Sequence, residues 1–499
     1  MHGILFNSDG GAGALYHFEP PISPEQLCNV VNQLVGTQVS VFIQSVNHGN
    51  DQFLYDTKVA QVYDGRHVPG GKFEQDNFRK WALNVRSLLD RDLDPLALWA
   101  ERTHELGMQF WPSMRMNDIH NDWVDRRPSI RSEWQKQNPH LMIGEDVPDV
   151  YVKCYEHRFS WAMDFAHEQV RRRKFALIDE MCAERDVDGF EMDFLSHPMY
   201  FRNGHEQEGM PLLNDFMRRV RSRLDEIGRH KGRKLTLLAR VGPTFSECEQ
   251  VGMDVRTWIR EGLVDVLQPM SRSCLDMNAD VAGFVEAAQG TAVEVAGGIE
   301  YYVQDYGGGK ITRASIEMMR GAAASFWRQG AGSIYLFNFD CHALNRFHPM
   351  APIERQMLEQ IGSPQTLCAK DKHYFITRDA QGLSPDAGGQ MPLPVNLTEP
   401  GVAKLLTFNV GDDLDAARRA GTLRSVTLAL TFNAPPAGRV AVTLNGRRLP
   451  ESEPTTHLHF STLTCSDAPV VAGRNDLRVT LTQHGGLYLE GVEIRINYR

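Results

Sequence analysis

Short apolar runs alternate with amphipathic stretches from residue 3 to about residue 361. The runs Gly3–Asn7, Val39–Ser45, Met108–Met114, Gly189–Phe194, Leu235–Val241, Val264–Gln268, Ala292–Gly298 and Ser333–Asn338 read as strands. Between them, apolar positions recur at helical spacing near 24–35, 95–106, 168–185, 211–229, 252–261, 279–288, 312–329 and 352–361. Pro24 and Pro211 suit early helix positions, and Gly107 suits a helix end. Eight strands alternating with eight helices predict a (β/α)8 TIM barrel over residues 1–365. A doubly wound open sheet is the rival. Polar residues at nearly every strand's C-terminal end disfavour it, and no Gly-x-Gly-x-x-Gly or P-loop pattern opens a helix. The bare triple Gly307–Gly309 does not change that.

Two connections, 48–94 and 116–166, are long, and the second carries Trp123 and Trp134. Long loops at the C-terminal end of a barrel wall a cleft. After Ile361 the texture changes: Pro, Gly and Asp fill 379–400, and period-two segments follow at 425–432, 439–444, 477–482 and 487–496. Asn445-Gly446 is a hairpin signal. Residues 366–499 therefore read as an all-β sandwich, an accessory domain beside the barrel.

Composition narrows the partners. Of 499 residues, 42% are hydrophobic and 23% charged, as in a soluble globular protein. A formal net charge of −10 with no long basic run argues against a nucleic-acid partner. Arg171–Lys174, in a helical pattern, reads as a solvated helix face. No apolar run reaches the roughly 18 residues of a spanning helix, so no membrane partner is expected. Ile4–Phe6 already reads as a strand with no signal peptide before it. Cysteines 28, 154, 182, 248, 274, 341, 368 and 465 form no Cys-x-x-Cys pair and suit reduced, mostly buried thiols. A cytoplasmic protein is expected, or a secreted one whose leader is outside this sequence. A homo-oligomer stays open.

Candidate chemistry gathers where a barrel keeps its site, at the strands' C-terminal ends. Glu191 and Asp193 are two apart on strand four and so share a face. Burying two carboxyls there is costly without partners. At the other ends stand Asp9, Arg115 with Asn117 and Asp118, Arg240, Gln268, Glu300 and Asn338. Acids, amides and arginines in a ring suit a ligand rich in hydroxyls. Trp111 and Tyr301 are candidate platforms for a sugar ring, with Trp123, Tyr200, Phe201 and Tyr302 nearby in sequence. For each aromatic alone, ordinary packing is the commoner role.

Asp193 is the leading catalytic candidate. Glu191, one layer deeper, is expected to pair with Arg115 or Arg240. Glu300 follows Gly297-Gly-Ile, whose small residues are expected to leave lumen space beside it. Glycoside cleavage needs one protonated and one ionised carboxyl, and Asp193 with Glu300 meets that need. Glu247 and Asp340 are reserves for the acid. No metal or cofactor is expected: strand one lacks the His-x-His of an amidohydrolase, and no barrel strand ends in a Schiff-base lysine. His457-Leu-His459 falls in the β-rich region. Asp118, His120 and Asp122 alternate as cation ligands could, though an ordered polar loop is the simpler account. Gly-x-Ser-x-Gly is missing.

Met163-Asp-Phe-Ala-His-Glu-Gln-Val170 followed by Asp186-Val-Asp-Gly-Phe-Glu-Met-Asp193 resembles the bacterial "family 10 glycosylhydrolase" barrels. Arg115-Met-Asn-Asp118 and Gly252-Met-Asp-Val-x-x-Trp258 fit the same resemblance. It implies a (β/α)8 hydrolase acting on a polysaccharide or other glycan, with Asp193 as the strand-four acid. Strand four is also similar to the Asp-Gly-Phe-Arg-x-Asp of α-amylase-type barrels, with Glu191 standing where the arginine belongs. The expected activity is a glycoside hydrolase with a carbohydrate substrate. The alternatives are a polysaccharide lyase or isomerase acting on an acidic sugar, and a non-catalytic glycan-binding protein.

Overall fold

The computed structural model describes residues 3–9, 14–119, 130–146, 160–272, 274–304, 311–340, 350–378, 392–436, 438–450 and 453–499. Eight strands close into a parallel barrel in chain order. They are β1 Ile4–Ser8, β2 Val39–Ser45, β3 Gln109–Arg115, β4 Gly189–Asp193, β5 Thr236–Val241, β6 Val266–Pro269, β7 Glu294–Glu300 and β8 Ser333–Phe337. β1 pairs with β8 through Ile4–Ile334 and with β2 through Ile4–Val39, which seals the ring. Each strand lies within two residues of its predicted span. The (β/α)8 expectation holds.

Alternation along each strand separates two apolar environments. Leu5, Val41, Ile43, Trp111, Leu238, Val266, Ala296 and Tyr335 fill the lumen. Ile4, Phe6, Phe42, Phe110, Phe190 and Leu336 face the surrounding helices. Gly189 is small because the indole of Trp111 lies across the lumen floor: a Cβ there would sit 2.8 Å from its Nε1.

The predicted helices form, with differences. Asp76–Leu89 is a helix inside what reads as a long loop, burying Phe78, Trp81, Ala82, Val85 and Leu88. Pro211 lies one turn inside the helix Glu206–Lys231 rather than at its start. Arg171–Lys174 is not a solvated face. Only Arg172 is largely exposed; Arg173 reaches buried Asp51 at 2.6 Å, and Lys174 is fully buried with Nζ donating to Asn50 O at 2.9 Å. The helix lies against the 50–58 segment, so a run of four basic residues spans more of its circumference than water can reach. Burial pushes the Lys174 ammonium down to about 8. Among the described residues no helix is long and apolar enough to cross a membrane.

Beyond the barrel lie β9 Lys372–Phe375, β10 Val395–Leu397, β11 Ala403–Val410, β12 Leu423–Phe432, β13 Val440–Leu444, β14 Arg447–Arg448, β15 Thr455–His457, β16 Phe460–Ser466, β17 Gly473–Leu481 and β18 Leu487–Tyr498. One sheet runs β9-β18-β12-β16-β15 with β10 also on β18, and the other runs β11-β17-β13-β14. Asn445 and Gly446 have φ of 50° and 77°, the left-handed pair that a two-residue hairpin turn needs. The barrel helix Ile316–Arg328 packs on β9; a Cβ on its Gly321 would lie 2.7 Å from His373 O. Beside that contact Asp412 is buried and accepts from Lys372 at 2.8 Å and from Tyr374 and Tyr498 at 2.5 Å each.

Candidate active site

In the upper half of the lumen, polar side chains form two layers. The lower layer centres on Glu191 of β4. Its Oε1 accepts from Asn7 Nδ2 of β1 at 3.0 Å, Ser113 Oγ of β3 at 2.8 Å and Tyr335 OH of β8 at 3.0 Å. Among the described residues no arginine bonds to it, contrary to expectation. Burial, then the neighbouring Asp193 charge, raises its carboxyl well above the usual range.

The upper layer centres on Asp193. Leu195 and Ser196 donate their backbone N–H groups to Oδ1 at 2.9 Å each, and the Ser196 hydroxyl donates to Oδ2. Arg240 Nη1 lies 3.0 Å from both oxygens, and its guanidinium stacks 3.7 Å above the Phe337 ring. Every one of these contacts brings a donor, as an ionised carboxylate requires. Ser196 follows Asp193 at the spacing of a turn in which an Asp side chain caps its own chain, a signal readable in the sequence.

Glu300 ends β7 in the same lumen. Its Oε1 accepts from Tyr301 N and its Oε2 from Asn338 Nδ2, both at 3.0 Å. Asn338 has a φ of 58°, a left-handed conformation Asn tolerates, directly after β8. Burial pushes the Glu300 carboxyl up to about 8, with Arg240 opposing. The guanidinium of Arg240 thus acts electrostatically on Glu191, Asp193 and Glu300 together. The expected free space beside Glu300 is filled. A Cβ on Gly298 would lie 2.0 Å from Gln268 Nε2, and one on Gly297 would lie 2.4 Å from Phe326 Cβ.

The remaining candidates divide. Arg115 pairs with Asp118 at 3.0 Å and with Asp9, which is the most exposed of the three. Asp340 accepts from Ser8 Oγ at 2.5 Å. Gln268 donates to Pro269 O at 3.0 Å, and its buried Oε1 has no partner among the described residues. Asn117 is spent on structure: it accepts from Met163 N at 2.9 Å and donates to Met163 O and Met199 O. Trp111 lies on the lumen floor beneath Ser113, donating to Gln109 Oε1 at 3.2 Å, so it cannot stack on a ligand at the mouth. Tyr301 points out of the barrel, because it neighbours the inward Glu300, and packs 4.6 Å from the Phe339 ring. Tyr200 and Phe201 are core residues. Trp134 is covered by the Arg173 guanidinium at 4.6 Å.

Over the ends of β5 and β6, Glu247 is raised to about 8 by burial and then by Asp276, itself raised to about 6 by burial. His120, Asp122, Trp123, Gly307–Gly309, Cys154 and Cys341 lie outside the described residues. Among the described residues no cluster of three or more His, Cys, Asp or Glu could hold a metal ion.

No protein-family model matches the chain, and no curated protein matches it. Solved structures do. A cycloisomaltooligosaccharide glucanotransferase from a Paenibacillus species is similar at 10% identity with a TM-score of 0.34, over 97% of this chain and 57% of that one. An α-L-fucosidase isoenzyme from Paenibacillus thiaminolyticus is 12% identical with a TM-score of 0.43, over 75% and 51%. The PgaB (BpsB) glycoside hydrolase domain from Bordetella bronchiseptica is 10% identical with a TM-score of 0.42, over 72% and 99%. This chain spans about half the length of the first two. The fold assignment rests on the strand pairing described above.

Proposed function

We propose that this protein is a glycoside hydrolase in which Glu300 donates a proton to the leaving oxygen and Asp193 is the ionised partner. The observation that carries this is the contrast between two carboxyls served by one guanidinium. Glu300 is held protonated near neutral pH by burial and has no ion pair among the described residues, while both oxygens of Asp193 lie 3.0 Å from Nη1 of the Arg240 guanidinium. Environments that split two acids in this way supply one acid and one base or nucleophile. For Asp193 to act, one donor must release it, and the freely rotating Ser196 hydroxyl is the simplest to turn away.

In hydrolysis the glycosidic C–O bond breaks as Glu300 protonates the departing oxygen. The anomeric carbon gains its new bond from the Asp193 carboxylate or from water deprotonated by it. Asp9, the most exposed of the Asp9, Arg115 and Asp118 group, would offer its carboxylate to sugar hydroxyls. Residues 366–499 would serve as the accessory domain of such an enzyme.

Release of reducing ends from a panel of neutral and acidic polysaccharides tests the proposal. Wild type should turn over at least one member, and D193N and E300Q should each lose on the order of 10²–10⁴-fold in rate. An unsaturated product absorbing in the ultraviolet would identify a lyase instead. Binding without any turnover would identify a glycan-binding protein.

A further inference from the structure

Among the described residues, three donors converge on one oxygen of Glu191 and none reaches the other. Asn7 Nδ2, Ser113 Oγ and Tyr335 OH all lie within 3.0 Å of Oε1, while Oε2 is buried without a partner. Asn7 Oδ1 is likewise buried with no partner among the described residues. A carboxylate shares its charge equally over both oxygens, so a buried ion draws donors to both. A full set on one oxygen is the pattern of a carbonyl beside a hydroxyl.

The two unpartnered atoms belong to side chains already joined by one hydrogen bond. A proton on Oε2 would satisfy both, closing an acid–amide ring with Asn7. We infer that Glu191 is a neutral carboxylic acid whose Oε2–H donates to Asn7 Oδ1, and that it positions the site by leaving the whole charge of Arg240 to Asp193.

The surrounding charges agree. Facing Glu191 are Asn7 from β1, Ser113 from β3, Asp193 from its own strand, Arg240 from β5 and Tyr335 from β8. The one cation among them lies against both Asp193 oxygens. An ionised Glu191 would add a second negative charge, half of it on an oxygen with no donor, which is costly to bury. Burial and Asp193 favour the proton on Glu191; Arg240 opposes it. Burial also keeps Tyr335 protonated and therefore a donor. The same geometry applies whether the barrel turns over a glycan or only binds one.

The test compares wild type with Glu191→Gln, the isostere of the neutral acid. Its carbonyl would take the same three donors, and its amide N–H would reach Asn7 Oδ1. E191Q should fold and match the wild-type melting temperature at pH 5. The raised carboxyl contributes stability below its unfolded pKa, and that contribution is lost as pH rises through the folded value. By pH 8 the balance should therefore move in favour of E191Q. The wild-type-minus-E191Q infrared difference at pH 6 should contain a protonated-carboxyl C=O band, and N7L should shift that band by removing its acceptor. An E191Q chain that fails to fold, a destabilisation equal at pH 5 and pH 8, or a difference spectrum showing only carboxylate bands would overturn the inference.

Discussion

In the proposed reaction, Glu300 is the residue whose protonation decides the chemistry. With its carboxyl at about 8, a general acid stays competent through neutrality and fails as pH rises past that value. The basic limb of kcat against pH should accordingly fall near pH 8 in the wild type and vanish in E300Q. Removing its amide partner with N338A should shift that limb upward, because the Asn338 hydrogen bond lowers the carboxyl. A limb unmoved in N338A would show that Asn338 does not tune the acid.

At the scale of elements, β7 is closely packed from both faces. The amide of Gln268 occupies the space where a Gly298 side chain would stand. Gly298→Ala should therefore destabilise by about 1–3 kcal/mol, read as a lower urea midpoint; an unchanged midpoint would mean that Gln268 moves freely. The strand pattern itself was legible because period-two apolar runs need no knowledge of partners. The helix Asp76–Leu89 was harder to see. Its N-cap is Gln75, with no side-chain bond, and it opens on Asp-Asn, so no start signal marks the stripe from Phe78 to Leu88. The site was legible as a set of strand ends and not as contacts. Which inward residues meet depends on how strands are staggered around the ring, and that stagger gives Glu191 to Asn7, Ser113 and Tyr335 rather than to an arginine. Tyr301 was misread because one residue of register turns a side chain from the lumen to the outer shell.

For the whole molecule, buried acids set the response to pH. Glu247 and Glu300 are both raised to about 8, so the folded chain holds protons there that the unfolded chain releases above about pH 4.5. His373 is lowered to about 4 and is neutral in both states above about 6.5, and Lys174, lowered to about 8, offsets them only towards the top of that range. Between pH 6.5 and 8, stability should fall with rising pH, on the order of 1 kcal/mol per unit, and chemical denaturation at several pH values reads this directly. At the junction with the β-sandwich, D412A would strand buried Lys372 and should cost about 3–5 kcal/mol. Scanning calorimetry would show it, and a loss under 1 kcal/mol would mean that water replaces the carboxylate.

The proposed reaction needs two acids in unlike protonation states working on one glycan. Its most direct measurement is kcat/KM for reducing-end release against pH, for wild type, D193N and E300Q on the best polysaccharide in the panel. The expected result is a bell-shaped wild-type profile whose upper limb lies near pH 8, a D193N enzyme slowed on the order of 10²–10⁴-fold at every pH, and an E300Q enzyme with no upper limb. A fully active E300Q with the wild-type profile would contradict it.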